Sequence, residues 1–459
     1  MGFEKKINIK RRTFLASLAS VPILGSSLES REMARASQGK LLDHKSDPFR
    51  IGMIGYGKRG GELLTALNQT NLNVEVHGIC EICEQRMEHG LAQAGSNARG
   101  FKNYLDLLGE EQIDAVIIAT PDHWHASMAI EASRRGKHVY LEKCMTRTPD
   151  EARALRDVIK TSGVVFQLGH QGRQRDLNIK ARDLIDKDTL GNITLIETTT
   201  NLNEPGDGWK SEWEDMAGSA TIDWDLFQGP GIEKQAFSPE RYFGWRNYWA
   251  YGTGMSGDLF SNEYDVVNSI LDLGIPASAI ATGGNYSHLE GREVPDVFQA
   301  AFEYPDRALT LLYSGTLASG VPRGTLIMGR DATLELGRLL SVWVDKQSIK
   351  YKSRIEAGII DPAAPFVNYM KDPNRVDGIS SATSRYYADR GLDFTYTEGR
   401  QVSTSALHLA EWLKCTRNGR ETSCNIDRGF EEAITAHMAT LSYREGRRVG
   451  WDPETETIV

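Results

Sequence analysis

Three glycines, Gly55-x-Gly57-x-x-Gly60, follow the apolar run Ile51-Gly52-Met53-Ile54 and precede Leu63, Leu64 and Leu67 at helical spacing. This is the spacing of a dinucleotide cradle. The first glycine permits a tight turn, the second lets backbone approach a pyrophosphate, and the third lets helix and strand pack closely. The helix that follows aims its N-terminal amides at the phosphate, and Tyr56, Lys58 and Arg59 share that loop as cofactor contacts. A second strand, Val74 to Ile79, runs to Glu81, close to the separation at which an acid accepts ribose hydroxyls. A carboxylate there repels a 2′-phosphate, so Glu81 favours NAD; Arg86, five residues on, softens the preference and keeps NADP open. Hydride transfer is the chemistry such a set serves. Cys80 and Cys83 make a C-x-x-C with no second pair, at positions where ribose recognition is expected. Small buried thiols are expected there, and no metal site.

The elements that must position these residues alternate. Val74 to Ile79, Ile113 to Ala119, His138 to Leu141 and Val164 to Leu168 read as short apolar strands, with helical segments between them. Near-continuous apolar strands belong in a sheet covered on both faces. Residues 50–168 are therefore expected to form a Rossmann-type, doubly wound parallel sheet that binds the dinucleotide. From Ile193 the pattern changes to alternation: Ile193 to Thr200, Ile280 to Gly284, Val297 to Tyr304, Ala308 to Ser314 and Thr325 to Gly329. Residues 169–459 are expected to form an α+β domain with a largely antiparallel open sheet, one face bare or covered by a partner. The amphipathic stretches Ala406 to Thr416 and Gly429 to Tyr443 should pack back on that sheet. The whole is of the α/β class.

Composition narrows the partners. With 53 Lys and Arg against 62 Asp and Glu the net charge is −9, which argues against a nucleic acid. Five cysteines make no disulfide framework. Lys10-Arg11-Arg12-Thr13-Phe14-Leu15, the apolar stretch to Leu28 and the small residues of Ala34-Arg35-Ala36 follow the order of a secretory leader. Residues 1–36 are expected to be a twin-arginine signal peptide that sends the folded protein to the periplasm, and 37–49 a polar linker. No apolar run outside the leader reaches the ~18 residues of a membrane span.

Thr120-Pro121-Asp122-His123-Trp124-His125 and Gly136-Lys137-His138-Val139-Tyr140-Leu141-Glu142-Lys143, in order at the ends of successive strands, resemble the Gfo/Idh/MocA oxidoreductase family across residues 50 to about 450. The leader is similar to that of the family's exported glucose-fructose oxidoreductase branch. The resemblance implies that Thr120, Pro121 and His125 border the nicotinamide, that Glu142 belongs to the cofactor pocket, and that Lys143 is the catalytic lysine. It further implies NAD or NADP acting on sugars and polyols, with a cofactor held tightly through export. Two departures stand out. Cys144 replaces the family's proline after the lysine, so the bond after Lys143 is either trans, re-aiming the lysine, or cis with the surrounding packing absorbing it. In the second-domain motif Asp258-x-x-x-Asn262-x-x-Asp265, Asn262 stands where the family has a histidine. An amide holds a hydroxyl but cannot titrate.

Asp258, Asn262 and Asp265 are expected on one face of a helix running to Leu273, by i, i+4, i+7 spacing. Gly252, Gly254 and Gly257 before it permit close approach of a ligand. Lys143, with a pKa lowered by burial, would move the hydroxyl proton; Asp258 would hold Lys143 or a neighbouring hydroxyl, and Asn262 the sugar. His170, Tyr251, Tyr264 and Asp265 are further candidates for touching substrate, His170 having a domain-junction hydrogen bond as its alternative. His123 and His125 are expected in the wall of the cofactor pocket. The excursion from Asn203 to Ser238 reads as a lid or subunit contact. Five of nine tryptophans lie between Trp209 and Trp249, suited either to stacking on a sugar or to packing the loop on the sheet. The expected activity is hydride transfer between a retained nicotinamide and a carbohydrate hydroxyl, in a homo-oligomer joined through the C-terminal sheet. A glycosidase or lyase that oxidises and re-reduces its substrate, and a non-catalytic carbohydrate-binding relative, are the alternatives.

Overall fold

The computed structural model describes residues 48–203, 221–289, 291–369, 394–397 and 400–459. The leader, most of the linker, and Trp209 and Trp213 of the excursion lie outside the described residues. Six strands of the first half pair in parallel: β1 (Phe49–Ile54), β2 (Val74–Cys80), β3 (Arg99–Phe101), β4 (Ala115–Ile118), β5 (His138–Leu141) and β6 (Phe166–Leu168), in the order β3-β2-β1-β4-β5-β6. Between them run α1 (Lys58–Asn68), α2 (Glu84–Ala94), α3 (Tyr104–Leu108), α4 (Asp122–Arg134) and α5 (Pro149–Ser162). All four residues of β4 are buried because its two faces meet different helices. Val116 and Ile118 join Ala129 and Ala132 of α4 and Leu155 of α5, while Ala115 and Ile117 join Leu63 and Leu64 of α1. Helix α5 starts on a reciprocal capping box between Thr148 and Glu151 with Pro149 in its first turn, and stops at Gly163. The strand order reverses between β1 and β4. Ligands of such sheets bind at that reversal, outside the carboxyl ends of the strands.

The second half adds ten strands in one sheet: β7 (Ile193–Asn201), β8 (Ser278–Gly284), β9 (Val297–Tyr304), β10 (Leu309–Thr316), β11 (Thr325–Gly329), β12 (Ala332–Leu336), β13 (Leu340–Val344), β14 (Val367–Tyr369), β17 (Val449–Asp452) and β18 (Thr457–Ile458). Strands β15 (Phe394–Thr397) and β16 (Arg400–Ser403) form a separate hairpin. Among the described residues of this sheet only β7 and β10 pair in parallel; the other pairs are antiparallel. Burial alternates strictly along β9 and β10, as one covered face requires. Phe302 and Tyr313 on that face pack against Phe260, with Phe260 and Phe302 stacked at 4.7 Å. On the other face Ile280 is 45% exposed, and with Thr199, Thr282, Gln299, Ala301 and Leu312 it lines a shallow hollow of about 500 Å³.

The remaining helices used below are α6 (Asp176–Asp186), α7 (Trp224–Gln228), α8 (Pro239–Phe243), α9 (Ser261–Leu271), α10 (Thr404–Asn418) and α11 (Ile426–Glu445). Both tail helices form, but they part company. Helix α11 covers the second sheet, whereas α10 packs on the first half. Leu409, Trp412 and Leu413 share a core with Ile51, Leu63 and Tyr140. An amphipathic stripe states that a helix has a buried face, not which sheet receives it. Among the described residues no helix is long and apolar enough to cross a membrane.

Candidate active site

The glycine loop meets the demands of a dinucleotide. A Cβ on Gly60 would lie 2.3 Å from the Gly55 carbonyl oxygen, so only glycine allows this close turn. A Cβ on Gly57 would meet nothing nearer than Arg86 Nη1 at 3.6 Å, leaving the outer side of the loop open. Gly57 is the N-cap of α1 and offers no side-chain cap to the first amides of that helix. Such amides hold phosphate. The residues present therefore fit the dinucleotide.

Glu81, at the end of β2, is buried beside this loop. Its Oε2 accepts from the Tyr56 amide at 2.8 Å, and its Oε1 from the amides of Ile82 (2.8 Å) and Cys83 (2.9 Å). A carboxylate has roughly four acceptor sites, so one remains for a ribose hydroxyl. The Arg86 guanidinium donates to the Tyr242 hydroxyl at 3.2 Å and lies over that ring. Replacing Glu81 with Ala should weaken NAD binding by tenfold or more, since a charged acceptor of three amides is lost. NADP should gain relative to NAD because Arg86 remains. Titrating cofactor-stripped protein with NADH and NADPH measures this; a wild type that already prefers NADPH would mean that Arg86 governs the choice.

Arg59 is drawn away from the loop. Its Nε donates to Glu142 Oε1 at 2.8 Å, and its terminal nitrogens reach Glu62 and Gln171 at 3.2 Å each. The Arg59–Glu142 pair thus ties the first loop to the end of β5, beside Gly169, where a Cβ would lie 2.7 Å from Glu142 Oε1. His125 Nδ1 lies 2.5 Å from the Cys144 carbonyl oxygen and Nε2 lies 2.8 Å from that of Thr120, so the ring staples the β4 and β5 loops together. Burial pushes the His123 imidazole down to about 4. Its Nε2 lies 2.7 Å from the Phe227 carbonyl oxygen, which also accepts from Trp124 Nε1 at 2.8 Å.

Lys143 follows β5, and the peptide bond to Cys144 is cis. The lysine reaches across to the second half, where Nζ donates to Asp258 Oδ1 at 2.5 Å and to the Asp258 carbonyl oxygen at 2.6 Å. Asn262 Nδ2 donates to the same carbonyl at 3.0 Å. Arg246 Nε adds a third donor, 3.2 Å from Asp258 Oδ1. Burial would raise the Asp258 carboxyl, but the Lys143 ammonium and the Arg246 guanidinium hold it down, at about 2. The expectation of a lowered lysine pKa is corrected: burial does press Lys143 downward, yet Asp258 more than offsets it and holds the ammonium above the usual lysine range.

Residues 254–271 form the single helical run expected here, but it contains a π turn and stops two residues short of Leu273. Asp258 sits in a π-helical turn, Ser256–Phe260, ahead of α9, and α9 ends at Leu271 with Asp272 left-handed. A wider turn breaks the i, i+4, i+7 register. Asp258 meets Lys143, and Asn262 holds the same Asp258 carbonyl, while Asp265 binds Arg173 Nη2 at 2.6 Å, buried at the domain junction. His170 lies deep in that junction with Nε2 3.1 Å from Glu432 Oε2, where burial lowers its pKa but Asp265 and Glu432 raise it more. Tyr264 is core: its hydroxyl donates to the Gly274 carbonyl at 2.6 Å. Tyr251 is fully buried among His123, Phe227 and Trp224, with its hydroxyl unpaired. None of these four side chains hydrogen-bonds to Lys143, Asp258 or Asn262.

The described part of the excursion lies against the cofactor half. Ile222 bridges to Cys83 and the Asp223 amide donates to the Ile82 carbonyl at 3.2 Å. Its aromatic residues mostly face each other, Trp224 stacking on Phe227 at 4.9 Å. Two site residues had no motif to announce them: Arg246, and Thr253, whose hydroxyl donates to the buried Asp122 at 2.9 Å and lies 3.0 Å from Cys144 Sγ. Asp122 carried one readable signal, an acid in the first turn of α4. Among the described residues no group of three His, Cys, Asp or Glu could hold a metal ion.

Known proteins bear on this arrangement. Residues 49–170 match the model of the Gfo/Idh/MocA oxidoreductase family, NAD-binding Rossmann fold, and residues 233–450 that of the family's C-terminal alpha/beta domain. A glycosyl hydrolase family 109 protein of Shewanella baltica (strain OS185) is 34% identical over 163 residues, 31% of this chain and 35% of that protein. A levoglucosan dehydrogenase of Pseudarthrobacter phenanthrenivorans is 24% identical over 209 residues, 42% of this chain and 46% of its own. These matches thus span under half the length of either curated relative. Among solved structures, levoglucosan dehydrogenase in complex with NADH superposes with a TM-score of 0.64 at 17% identity, over 88% of this chain and 99% of that one. The WlbA dehydrogenase of Bordetella pertussis, in complex with NADH and UDP-GlcNAcA, gives 0.61 at 17%, with the same coverage. By both domain matches, and by a sheet order and glycine cradle that agree with them, the chain belongs to the Gfo/Idh/MocA oxidoreductase family, whose first domain binds NAD.

Proposed function

We propose that the protein is a carbohydrate oxidoreductase that works with a retained NAD. The observation that carries this reading is Lys143, delivered by the cofactor half and held by Asp258 of the other half. NAD bound at the glycine loop would accept or return a hydride at nicotinamide C4. The chain's own part is orientation and proton handling. Two of the three donors on Lys143 Nζ are spent on Asp258; the third is left to hold a substrate oxygen and deliver its proton. Asn262 keeps the Asp258 carbonyl in place and offers an amide oxygen to a sugar hydroxyl.

A redox-neutral glycosidase is the second reading, favoured by the 34% identity to glycosyl hydrolase family 109 proteins. Such an enzyme would oxidise a ring carbon, eliminate the aglycone from the acidified neighbour and reduce again. A purely binding relative is disfavoured by the complete Lys143–Asp258 pair and the open glycine cradle. Three further features complete the proposal. The protein is exported by the twin-arginine route on the strength of residues 1–36; the excursion strapped along Ile82, Cys83 and Trp124 retains the cofactor; and the bare sheet face around Ile280 joins two copies.

The test is a panel of free sugars and aryl glycosides given to purified protein without added NAD. An oxidoreductase develops the reduced-nicotinamide absorbance and releases no aglycone. Aglycone release without lasting reduction would establish the glycosidase. Binding with neither change would overturn both enzyme readings.

A further inference from the structure

Arg246 does more than neutralise Asp258. It sits in the 3-10 turn Trp245–Asn247, its guanidinium 4.2 Å over the Trp245 ring. Gly252 lets the chain pass close beside it, since a Cβ there would lie 3.3 Å from Arg246 Cα. Stacking and the Nε bond to Asp258 together fix the plane of the fork. Nε is then used, but the two terminal nitrogens bond no described residue, and a third of the side chain (32%) is exposed. The local charge is unbalanced. Two cations, Lys143 and Arg246, share one carboxylate, Asp258. The nearby Asp122 is pushed toward its neutral form by burial and by the Asp258 charge, against the pull of His125 and Arg246. A pre-oriented guanidinium with two free parallel donors is complementary to a carboxylate, which it binds bidentately.

We propose that Arg246 anchors a carboxylate of the substrate, so that the carbohydrate taken at this site is an acidic sugar, a hexuronate or its glycoside. The inference rests on the carbohydrate reading above. It adds a specificity residue: the acid group docks on Arg246, and the ring hydroxyls then fall to Lys143 and Asn262.

The test is calorimetric titration of NAD-loaded protein with glucuronate, galacturonate, glucose, galactose and lactate, at low and high salt. A uronate is expected to bind about tenfold to a hundredfold more tightly than its hexose, the usual worth of a charge-assisted pair, and the gap should narrow in salt. Arg246→Gln should erase the gap between uronate and hexose, whatever it does to the affinity for both, and Arg246→Lys should restore part of it. Equal binding of uronate and hexose to the wild type, or a gap that survives in Arg246→Gln, overturns the inference and leaves the carbohydrate reading intact. Arg246-dependent binding of lactate with no sugar bound overturns the carbohydrate reading instead, and with it the acidic sugar. No binding by any probe counts against both. Should Arg246→Gln fail to hold NAD or to fold, the wild-type ratio and its salt dependence decide alone.

Discussion

Lys143→Met is expected to lower turnover by about a hundredfold or more while leaving NAD bound, because positioned proton transfer typically contributes that much. Methionine has nearly the length of lysine without the charge, so the path from β5 to the second half stays filled. The glycine loop and Glu81, which hold the dinucleotide, do not touch the lysine ammonium. Asp258 keeps Arg246 as a counter-ion, which limits the damage to folding. Lys143→Arg should not rescue activity, since a guanidinium keeps the charge but does not release a proton near neutral pH. The measurement is single-turnover reduction of the bound nicotinamide alongside cofactor content by mass spectrometry. A Met variant that turns over within tenfold of wild type would remove Lys143 from proton transfer, leaving the Asp122–Thr253–Cys144 cluster as the next place to look.

How far the sequence foretold this site depends on which property is asked for. Strand β9 was expected at Val297 to Tyr304 and is found there, and β7 differs by one residue. A half-covered strand must alternate, and that constraint is written in consecutive residues. The rim is as legible, because Gly55, Glu81, Thr120 and Lys143 each lie one or two residues past the end of a parallel strand, and parallel strands end together. The shorter strands β12, β13 and β14 were not anticipated, and Tyr264, Asp265 and His170 went to the core or the domain junction. Their directions depend on one π-helical turn and on distant partners, Gly274, Arg173 and Glu432. No local pattern encodes those. Arg246 was invisible for the same reason: its neighbours Asp258 and Gly252 act on it through the fold, and a lone arginine between aromatic residues has no spacing to read. The lysine pKa is not legible in the sequence, because burial is foreseeable from residue order whereas the distance to a counter-ion is not.

Asp258→Asn should have the second-largest effect, on stability and on pH dependence together. Asparagine keeps the shape and one acceptor but removes the single charge that two partly buried cations share. Breaking a buried pair by deleting one partner costs about 3–5 kcal/mol, and the residual exposure of Lys143 and Arg246 argues for the low end of that range. In the wild type the two shifts bracket a broad plateau. Asp258, depressed to about 2, contributes stability that is present above its unfolded value and lost as pH falls through the folded one. Lys143, raised, contributes stability that is complete below its unfolded value and lost as pH climbs through the folded one. Between mildly acidic and mildly alkaline pH neither group should tilt the curve. In Asp258→Asn the lysine loses its main upward influence, and burial and the Arg246 charge lower its pKa against Cys144 alone. The folded variant then binds fewer protons than the unfolded chain as the lysine titrates, so its stability should rise with pH across the neutral to alkaline range, where the wild type stays flat. Urea unfolding at a series of pH values reads this slope directly. The pH–rate profile should move with it, its lysine limb displaced toward lower pH as the amine form becomes available earlier. A variant as stable as wild type, with an unmoved profile, would mean that Lys143 and Arg246 are solvated well enough to need no counter-ion, and Asp258 would then be a ligand for substrate rather than for the lysine.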